Sequence, residues 1–182
     1  IIGLGRIGTE FAKRVKGIGM EIQYYDAVRR QDIEKELDVK FVSLEELLKT
    51  SDVISIHTPL TDGTRDMIRE REIEMMKSNA VLINTARGAI VDEKALYNAL
   101  KNRRIFGAGI SVFTKEPLVA SHPFYKLGDE LDNLILLPHM GAGPHTGRAV
   151  SLAAANDVIA VVEGRKPKYP LNPEVFEKLR LK

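Results

Sequence analysis

The chain contains no cysteine among its 182 residues. Disulfides, thiol nucleophiles and cysteine-based zinc sites are therefore excluded, and we predict no metal site. No apolar run approaches the roughly 20 residues that a membrane-spanning helix needs. No secretory signal peptide is apparent either, so we expect a cytoplasmic protein with no membrane partner.

Charge is nearly balanced, with a formal net charge of +2 at pH 7. The basic excess lies in residues 164–182, which leaves the remainder mildly acidic. Because nucleic-acid-binding domains usually present a basic patch or stripe, this distribution argues against a nucleic-acid partner. A hydrophobic content of 44% and a charged content of 29% are typical of a globular domain that buries a core.

The first eight residues are a short apolar run that leads into the pattern Gly-x-Gly-x-x-Gly. Residues 9–19 continue with apolar side chains at helical spacing, so the pattern lies between a predicted strand and a predicted helix. In that context Gly3 allows a tight turn, Gly5 allows a pyrophosphate to approach, and Gly8 allows close helix packing. The helix N-terminus offers N–H groups to phosphates. Taken alone, the pattern is equally compatible with a flexible turn.

An acidic residue follows the next predicted strand. Residues 20–25 are predicted as a strand that ends in two tyrosines, and Asp26 comes directly after them. It lies close to the roughly 20 residues past the glycines at which an acid hydrogen-bonds the adenosine ribose. A carboxylate there repels the additional phosphate of NADP, whereas Arg29 and Arg30 would attract it. Asp26 ends the strand itself, so the sequence favours NAD. The alternative is that Asp26 only terminates a strand.

Apolar strands alternate with helices along the rest of the chain, which predicts an α/β fold of Rossmann type with a doubly wound, mostly parallel sheet. The further strands are predicted at residues 52–57, 80–84, 105–112 and 134–137. Asp92 is placed to cap a helix over residues 93–101. We assign residues 1–163 to a nucleotide-binding domain and residues 164–182 to a C-terminal tail.

Polar side chains follow the apolar strands, at the edge where parallel sheets bind ligands. These residues are Asp26, Thr58, Arg87, Glu116 and His139. Arginine pairs with a carboxylate through two hydrogen bonds, histidine transfers protons near neutral pH, and glutamate can orient an imidazole. Arg87, His139 and Glu116 therefore suit hydride transfer to a 2-oxo acid. Each is alternatively an ordinary surface or loop residue, and we interpret His57 as a strand-end residue.

With these residues in place, the sequence resembles the D-isomer-specific 2-hydroxyacid dehydrogenases. The matching segments are Gly3-Leu4-Gly5-Arg6-Ile7-Gly8, Tyr24-Tyr25-Asp26, His57-Thr58-Pro59-Leu60-Thr61, Asn84-Thr85-Ala86-Arg87-Gly88, Val112-Phe113-Thr114-Lys115-Glu116-Pro117 and Pro138-His139-Met140-Gly141. They follow the family's order over nearly the whole chain. The branches that look most similar are glyoxylate or hydroxypyruvate reductases, then phosphoglycerate dehydrogenases. Formate dehydrogenases carry glutamine where Glu116 stands, which makes that branch a poor match.

The resemblance implies an NAD-dependent oxidoreductase that transfers a hydride between the nicotinamide and a small D-2-hydroxy acid or 2-oxo acid. It implies that Arg87, Glu116 and His139 are catalytic. The cofactor-binding residues that it implies are Gly3, Gly5, Arg6, Ile7, Gly8, Asp26, Thr58, Pro59, Thr85, Ala86, Arg87, Ser111, His139 and Gly141. It also implies a homodimer.

Two features depart from the family pattern. Ser111 stands where the family usually has an aspartate that helps to hold the nicotinamide carboxamide, and serine brings no charge. The chain also starts at the glycine pattern, whereas family members begin with a segment that forms most of the substrate domain. We therefore expect a fragment without that domain. A rival hypothesis is a non-catalytic NAD-sensing or interaction module, which the intact Arg87, Glu116 and His139 disfavour.

Overall fold

The computed structural model describes residues 1–125, 132–141 and 143–177. The chain divides into two compact units, Ile1–His139 and Met140–Lys182. Among the described residues, no helix is both long enough and apolar enough to cross a membrane. The predicted boundary between domain and tail after residue 163 stays a prediction.

All strand pairs of the first unit are parallel. The strands are β1 (Gln23–Tyr24), β2 (Lys40–Phe41), β3 (Val53–Ile56), β4 (Val81–Asn84), β5 (Gly107–Ile110) and β6 (Leu134–Leu136). β1 pairs with β2, and β3 to β6 pair in chain order. Ile2 bridges Tyr25 on one side and Ile56 on the other, both in parallel orientation. The N-terminal residues thus link the two groups of strands into one array, and the strand order reverses there, as in a doubly wound sheet.

Helices connect these strands, as predicted for an α/β fold. They are α1 (Arg6–Gly17), α2 (Gln31–Leu37), α3 (Leu44–Thr50), α4 (Glu70–Met75) and α5 (Glu93–Lys101), with a 3-10 helix at Gly88–Ile90. The second unit contains α6 (Pro144–Val162) and a 3-10 helix at Pro173–Glu177. The predicted cap of α5 is confirmed, since the Asp92 side chain accepts hydrogen bonds from the amides of Lys94 and Ala95.

The main core lies on one face of β3 to β6. Ile54, Leu82, Ala108 and Leu134 are register partners across these strands, and all are buried. They form one hydrophobic cluster with side chains of α3, α4 and α5. A second cluster joins β1 with α1 and α2. Each fully buried aliphatic side chain contributes about 1.5–3 kcal/mol, so this packing fixes where each strand ends.

Helix α1 packs mainly through small residues. Gly8 and Ala12 are buried, and Phe11 is partly buried against the second cluster. Ile7 is 72% exposed, and Ile18, the C-cap residue, is 78% exposed. The helix therefore lies close to the N-terminal strand residues. The apolar spacing correctly predicted a helix, but the observed helix begins nearer the glycines than the spacing indicated.

Candidate active site

The glycine turn at the start of α1 has room for a side chain at only one of its three positions. Gly3 has a φ of +93°, and a Cβ there would lie 2.7 Å from the Thr58 nitrogen. A Cβ on Gly8 would lie 2.1 Å from the Gly3 carbonyl oxygen. At Gly5 a Cβ would meet no described atom within 4 Å. Gly3 and Gly8 are thus required by the fold, while Gly5 leaves open space above the helix N-terminus.

The N-terminus of α1 suits an anion. Gly5 is the N-cap residue, and within the described ranges no side chain caps the helix and no acidic residue lies in its first turn. Arg6 and Ile7 in that turn are exposed. The first amides of a helix have no intrahelical acceptor and lie at the positive end of its dipole. This open helix end therefore fits the pyrophosphate of a dinucleotide.

The carboxylate of Asp26 is fixed beside this turn. One of its oxygens accepts a hydrogen bond of 2.6 Å from the Leu4 amide, and the other accepts one of 3.1 Å from the Val28 amide. A carboxylate oxygen has a second lone pair, so both can also accept hydrogen bonds from ribose hydroxyls. Asp26 therefore holds the glycine turn in shape, and its contact with the adenosine ribose stays a prediction.

Other predicted cofactor residues follow the neighbouring strands. The backbone at Thr58, just before Pro59, lies against Gly3 at the end of β3. Thr85 is exposed and Ala86 half-buried after β4.

The turn after β4 is shaped by a residue that the sequence did not single out. Asn84 is buried; its side-chain oxygen accepts a hydrogen bond from the Ala86 amide, and its side-chain nitrogen donates one to the Arg87 carbonyl. Ser111, after β5, is also buried, and its amide donates to the Asn84 carbonyl. Asparagine often closes turns with its own side chain. The position of Asn84 at the end of an apolar strand could therefore have indicated this role from the sequence.

The turn that carries Arg87 packs against the loop that leads to Glu116. A Cβ on Gly88 would lie 2.0 Å from the Phe113 carbonyl carbon, so the two backbones are in direct contact. The Glu93 carboxylate accepts a hydrogen bond of 2.7 Å from the Thr114 amide and holds the loop from the other side. The first-turn position of Glu93 in α5 gave no sign of this contact.

Glu116 and His139 form a hydrogen-bonded pair at this edge of the sheet. The His139 Nδ1 lies 2.7 Å from one Glu116 oxygen, while the other accepts a hydrogen bond of 2.9 Å from the Phe113 amide. The hydrogen bond with His139 holds the pKa of Glu116 below its usual range, and the Phe113 amide and the charge of Arg87 act in the same direction. The ionised carboxylate only accepts hydrogen bonds, so Nδ1 carries the proton and Nε2 is left for a ligand.

His139 also has an unusual backbone conformation, with a φ of 50°. This left-handed region is uncommon for residues other than glycine, and it occurs often at functional sites. His139 lies in the turn that follows β6, and in this turn its imidazole contacts Glu116.

His57 and Gly141 are not part of this hydrogen-bonded group. His57 contacts the Ser55 hydroxyl at 2.9 Å and packs on the Phe11 ring, and burial lowers its pKa to about 4. It is therefore neutral at pH 7, in keeping with a strand-end residue. Gly141 belongs to the second unit, and its contact with the cofactor stays a prediction.

Comparisons with known proteins agree with this geometry. Residues 1–141 match the D-isomer specific 2-hydroxyacid dehydrogenase, NAD binding domain. The chain is 47% identical over 178 residues to a glyoxylate reductase of Korarchaeum cryptofilum and 45% identical over 177 residues to one of Thermococcus litoralis. These alignments cover 97% of the chain but 52% of either relative. The chain thus spans about half the length of the curated relatives it matches.

Solved structures show the same relationship. A D-lactate dehydrogenase from Aquifex aeolicus, complexed with NAD and lactic acid, superposes with a TM-score of 0.80 at 38% identity, over 90% of this chain and 52% of that one. A D-lactate dehydrogenase with NAD+ from Lactobacillus jensenii gives a TM-score of 0.84 at 29% identity, over 93% and 54%. The chain therefore belongs to the D-isomer specific 2-hydroxyacid dehydrogenase family, and its residues 1–141 are that family's NAD-binding domain.

Proposed function

We propose that this chain is the cofactor-binding part of an oxidoreductase that interconverts a small 2-oxo acid and its D-2-hydroxy acid. The observation that carries the proposal is the Glu116–His139 pair, which lies at the carboxyl end of a parallel sheet with one imidazole nitrogen left for a ligand. The relatives named glyoxylate reductase support a substrate of the glyoxylate type, and hydroxypyruvate and phosphohydroxypyruvate are substrates of the same class.

Each catalytic side chain has a defined role in this proposal. NAD, when bound, supplies or accepts the hydride. His139 donates a proton from Nε2 to the carbonyl oxygen of the 2-oxo acid, while the Glu116 carboxylate fixes Nδ1 and stabilises the protonated ring. Arg87 pairs with the substrate carboxylate and with the oxygen on which negative charge develops. In the opposite direction His139 accepts the proton from the hydroxyl group.

The positions of the backbone turns support a proposed set of cofactor contacts. The amides at the start of α1, beside Arg6 and Ile7, bind the pyrophosphate, and Asp26 binds the adenosine ribose. The residues proposed to line the rest of the cofactor site are Thr58, Pro59, Thr85, Ala86, Ser111 and Gly141. We further propose a cytoplasmic enzyme that pairs with a second copy of itself and binds neither nucleic acid nor membranes.

NADH consumption separates this proposal from a non-catalytic NAD-binding module. The full-length protein is mixed with NADH and with glyoxylate, hydroxypyruvate, pyruvate or phosphohydroxypyruvate, and absorbance of NADH is followed. Consumption that depends on one of these acids supports the dehydrogenase. Saturable NADH binding without turnover of any of them would favour the module instead.

A further inference from the structure

Two arginines next to the adenosine site are held in ion pairs that the proposed reaction does not use. The guanidinium of Arg30 forms two hydrogen bonds to the Asp32 carboxylate, of 3.1 and 2.8 Å. Its remaining terminal nitrogen donates to the Leu4 carbonyl at 3.2 Å. The Leu4 amide donates to Asp26. Asp26 and Arg30 therefore contact the same residue of the glycine turn, and the guanidinium lies beside the ribose-binding carboxylate.

Arg29 is held differently and more firmly. Its guanidinium forms two hydrogen bonds to Glu34, of 2.9 and 2.8 Å, and lies over the Phe41 ring. The buried Tyr24 hydroxyl donates to the same Glu34 carboxylate at 2.7 Å. The Glu34 side chain is only 16% exposed, against 64% for Asp32. Arg29 is thus held by a mostly buried carboxylate, whereas Arg30 is held by an exposed one.

This arrangement bears on the choice between NAD and NADP. The additional phosphate of NADP is attached to the adenosine ribose, next to the position of Asp26. A site that accepts it usually supplies an arginine, and Arg30 is placed to be that arginine. Asp32 accepts hydrogen bonds from two nitrogens of the Arg30 guanidinium and adds a second negative charge beside the phosphate position. Both effects disfavour NADP.

We propose that Asp32 is a specificity-determining residue, which makes the site selective for NAD by pairing with the guanidinium of Arg30, so that it is not available to a ribose phosphate. The inference rests on nucleotide binding by this domain and not on hydride transfer. Asp26 provides the first barrier to NADP, and Asp32 provides a second one. Because the pair is exposed, its strength is modest, and its removal changes affinity by about fivefold.

The test measures the dissociation constants of NADPH and NADH by nucleotide fluorescence in full-length protein. The variant is Asp32→Asn, which removes the charge and keeps the shape. The matched control is Asp38→Asn, at the other end of α2, where the carboxylate contacts Lys16. Asp38 has a φ of 50°, a conformation that asparagine also adopts readily, so both variants change the net charge equally and without strain. A third protein combines Asp32→Asn with Arg30→Ala.

We expect Asp32→Asn to tighten NADPH binding about fivefold while NADH affinity stays within about twofold. Asp38→Asn should change neither affinity, and the double variant should lose the gain. An unchanged NADPH affinity in Asp32→Asn, an equal gain in Asp38→Asn, or a gain that persists without Arg30 would each overturn the proposal. Since binding alone is measured, a failure of the proposed dehydrogenase activity would appear separately, as absent turnover with normal NADH binding.

Discussion

The imidazole Nδ1 of His139 lies 2.7 Å from the carboxylate of Glu116, although the two residues follow different strands. Glu116 is fixed in turn by the Phe113 amide, and its loop is packed against Gly88 and bonded to Glu93. The side chain that is proposed to transfer the proton is thus oriented by a chain of backbone contacts.

Substitution of Glu116 by glutamine removes the negative charge and leaves a hydrogen-bond acceptor for His139. The lowered pKa of Glu116 means that the carboxylate is ionised throughout the neutral range and stabilises the protonated imidazole. In Glu116→Gln we expect kcat for 2-oxo acid reduction to fall by about tenfold to a hundredfold. Steady-state kinetics of the full-length protein measure the effect. A kcat within about twofold of wild type would contradict the assigned role.

Substitutions at Gly8 and Gly5 of the turn are expected to affect different properties, the first the stability of the fold and the second the binding of NADH. Gly8→Ala places a Cβ 2.1 Å from the Gly3 carbonyl and should lower the free energy of unfolding by about 1–3 kcal/mol. Gly5→Ala meets open space, so its stability should change by less than about 1 kcal/mol, yet NADH binding should weaken because the methyl group narrows the approach of the pyrophosphate. Urea unfolding and NADH titration measure the two effects. Equal losses of stability in both variants would contradict the finding that a Cβ has room at Gly5 but not at Gly8.

Asn84 should matter for both stability and activity. Its side chain bonds the Ala86 amide and the Arg87 carbonyl from a buried position, so Asn84→Ala leaves both groups without that partner. We expect a loss of about 1–3 kcal/mol in unfolding free energy and a lower kcat/KM for the 2-oxo acid, because the turn that carries Arg87 is loosened. Asn98→Ala, at an exposed position of α5, is the matched control and should behave as wild type. An unaltered kcat/KM in Asn84→Ala would contradict the claim that Asn84 holds the turn that carries Arg87.

The resemblance implies an aspartate at the position of Ser111, which is buried directly after β5. A carboxylate accepts a stronger hydrogen bond than a neutral hydroxyl. We therefore expect Ser111→Asp to tighten NADH binding by about threefold to tenfold, with a shifted pH–rate curve, and Ser111→Ala to weaken binding. Equal NADH affinities and superimposable pH–rate curves for the serine and aspartate forms would show that the substitution has no consequence.

Much of the fold was accessible from local signals in the sequence. Asp92 predicted both the cap and the start of α5, because a helix cap depends on residues only a few positions apart. The apolar spacing predicted the helix α1 but only part of its packing, since Phe11 packs against the second cluster and Gly8 and Ala12 are buried, whereas Ile7 and Ile18 are exposed. Which face of a helix is buried depends on its neighbours, and sequence spacing alone does not specify them.

The candidate site, too, could be predicted only in part from the sequence. Strand ends pointed to Asp26, Arg87, Glu116 and His139, because a parallel sheet brings its carboxyl ends to one edge. The left-handed backbone of His139 and the contact between Glu93 and the Thr114 amide could not be predicted. Both depend on loops that approach each other only in the folded chain.

The most direct test of the account is the effect of His139→Ala on two quantities measured with the same full-length protein. These are kcat/KM for the preferred 2-oxo acid and the dissociation constant of NADH. If His139 transfers the proton, kcat/KM should fall by about a hundredfold to ten-thousandfold, while NADH affinity stays within a few-fold. Wild-type turnover in His139→Ala, or no turnover of any 2-oxo acid by the wild-type protein despite normal NADH binding, would contradict it.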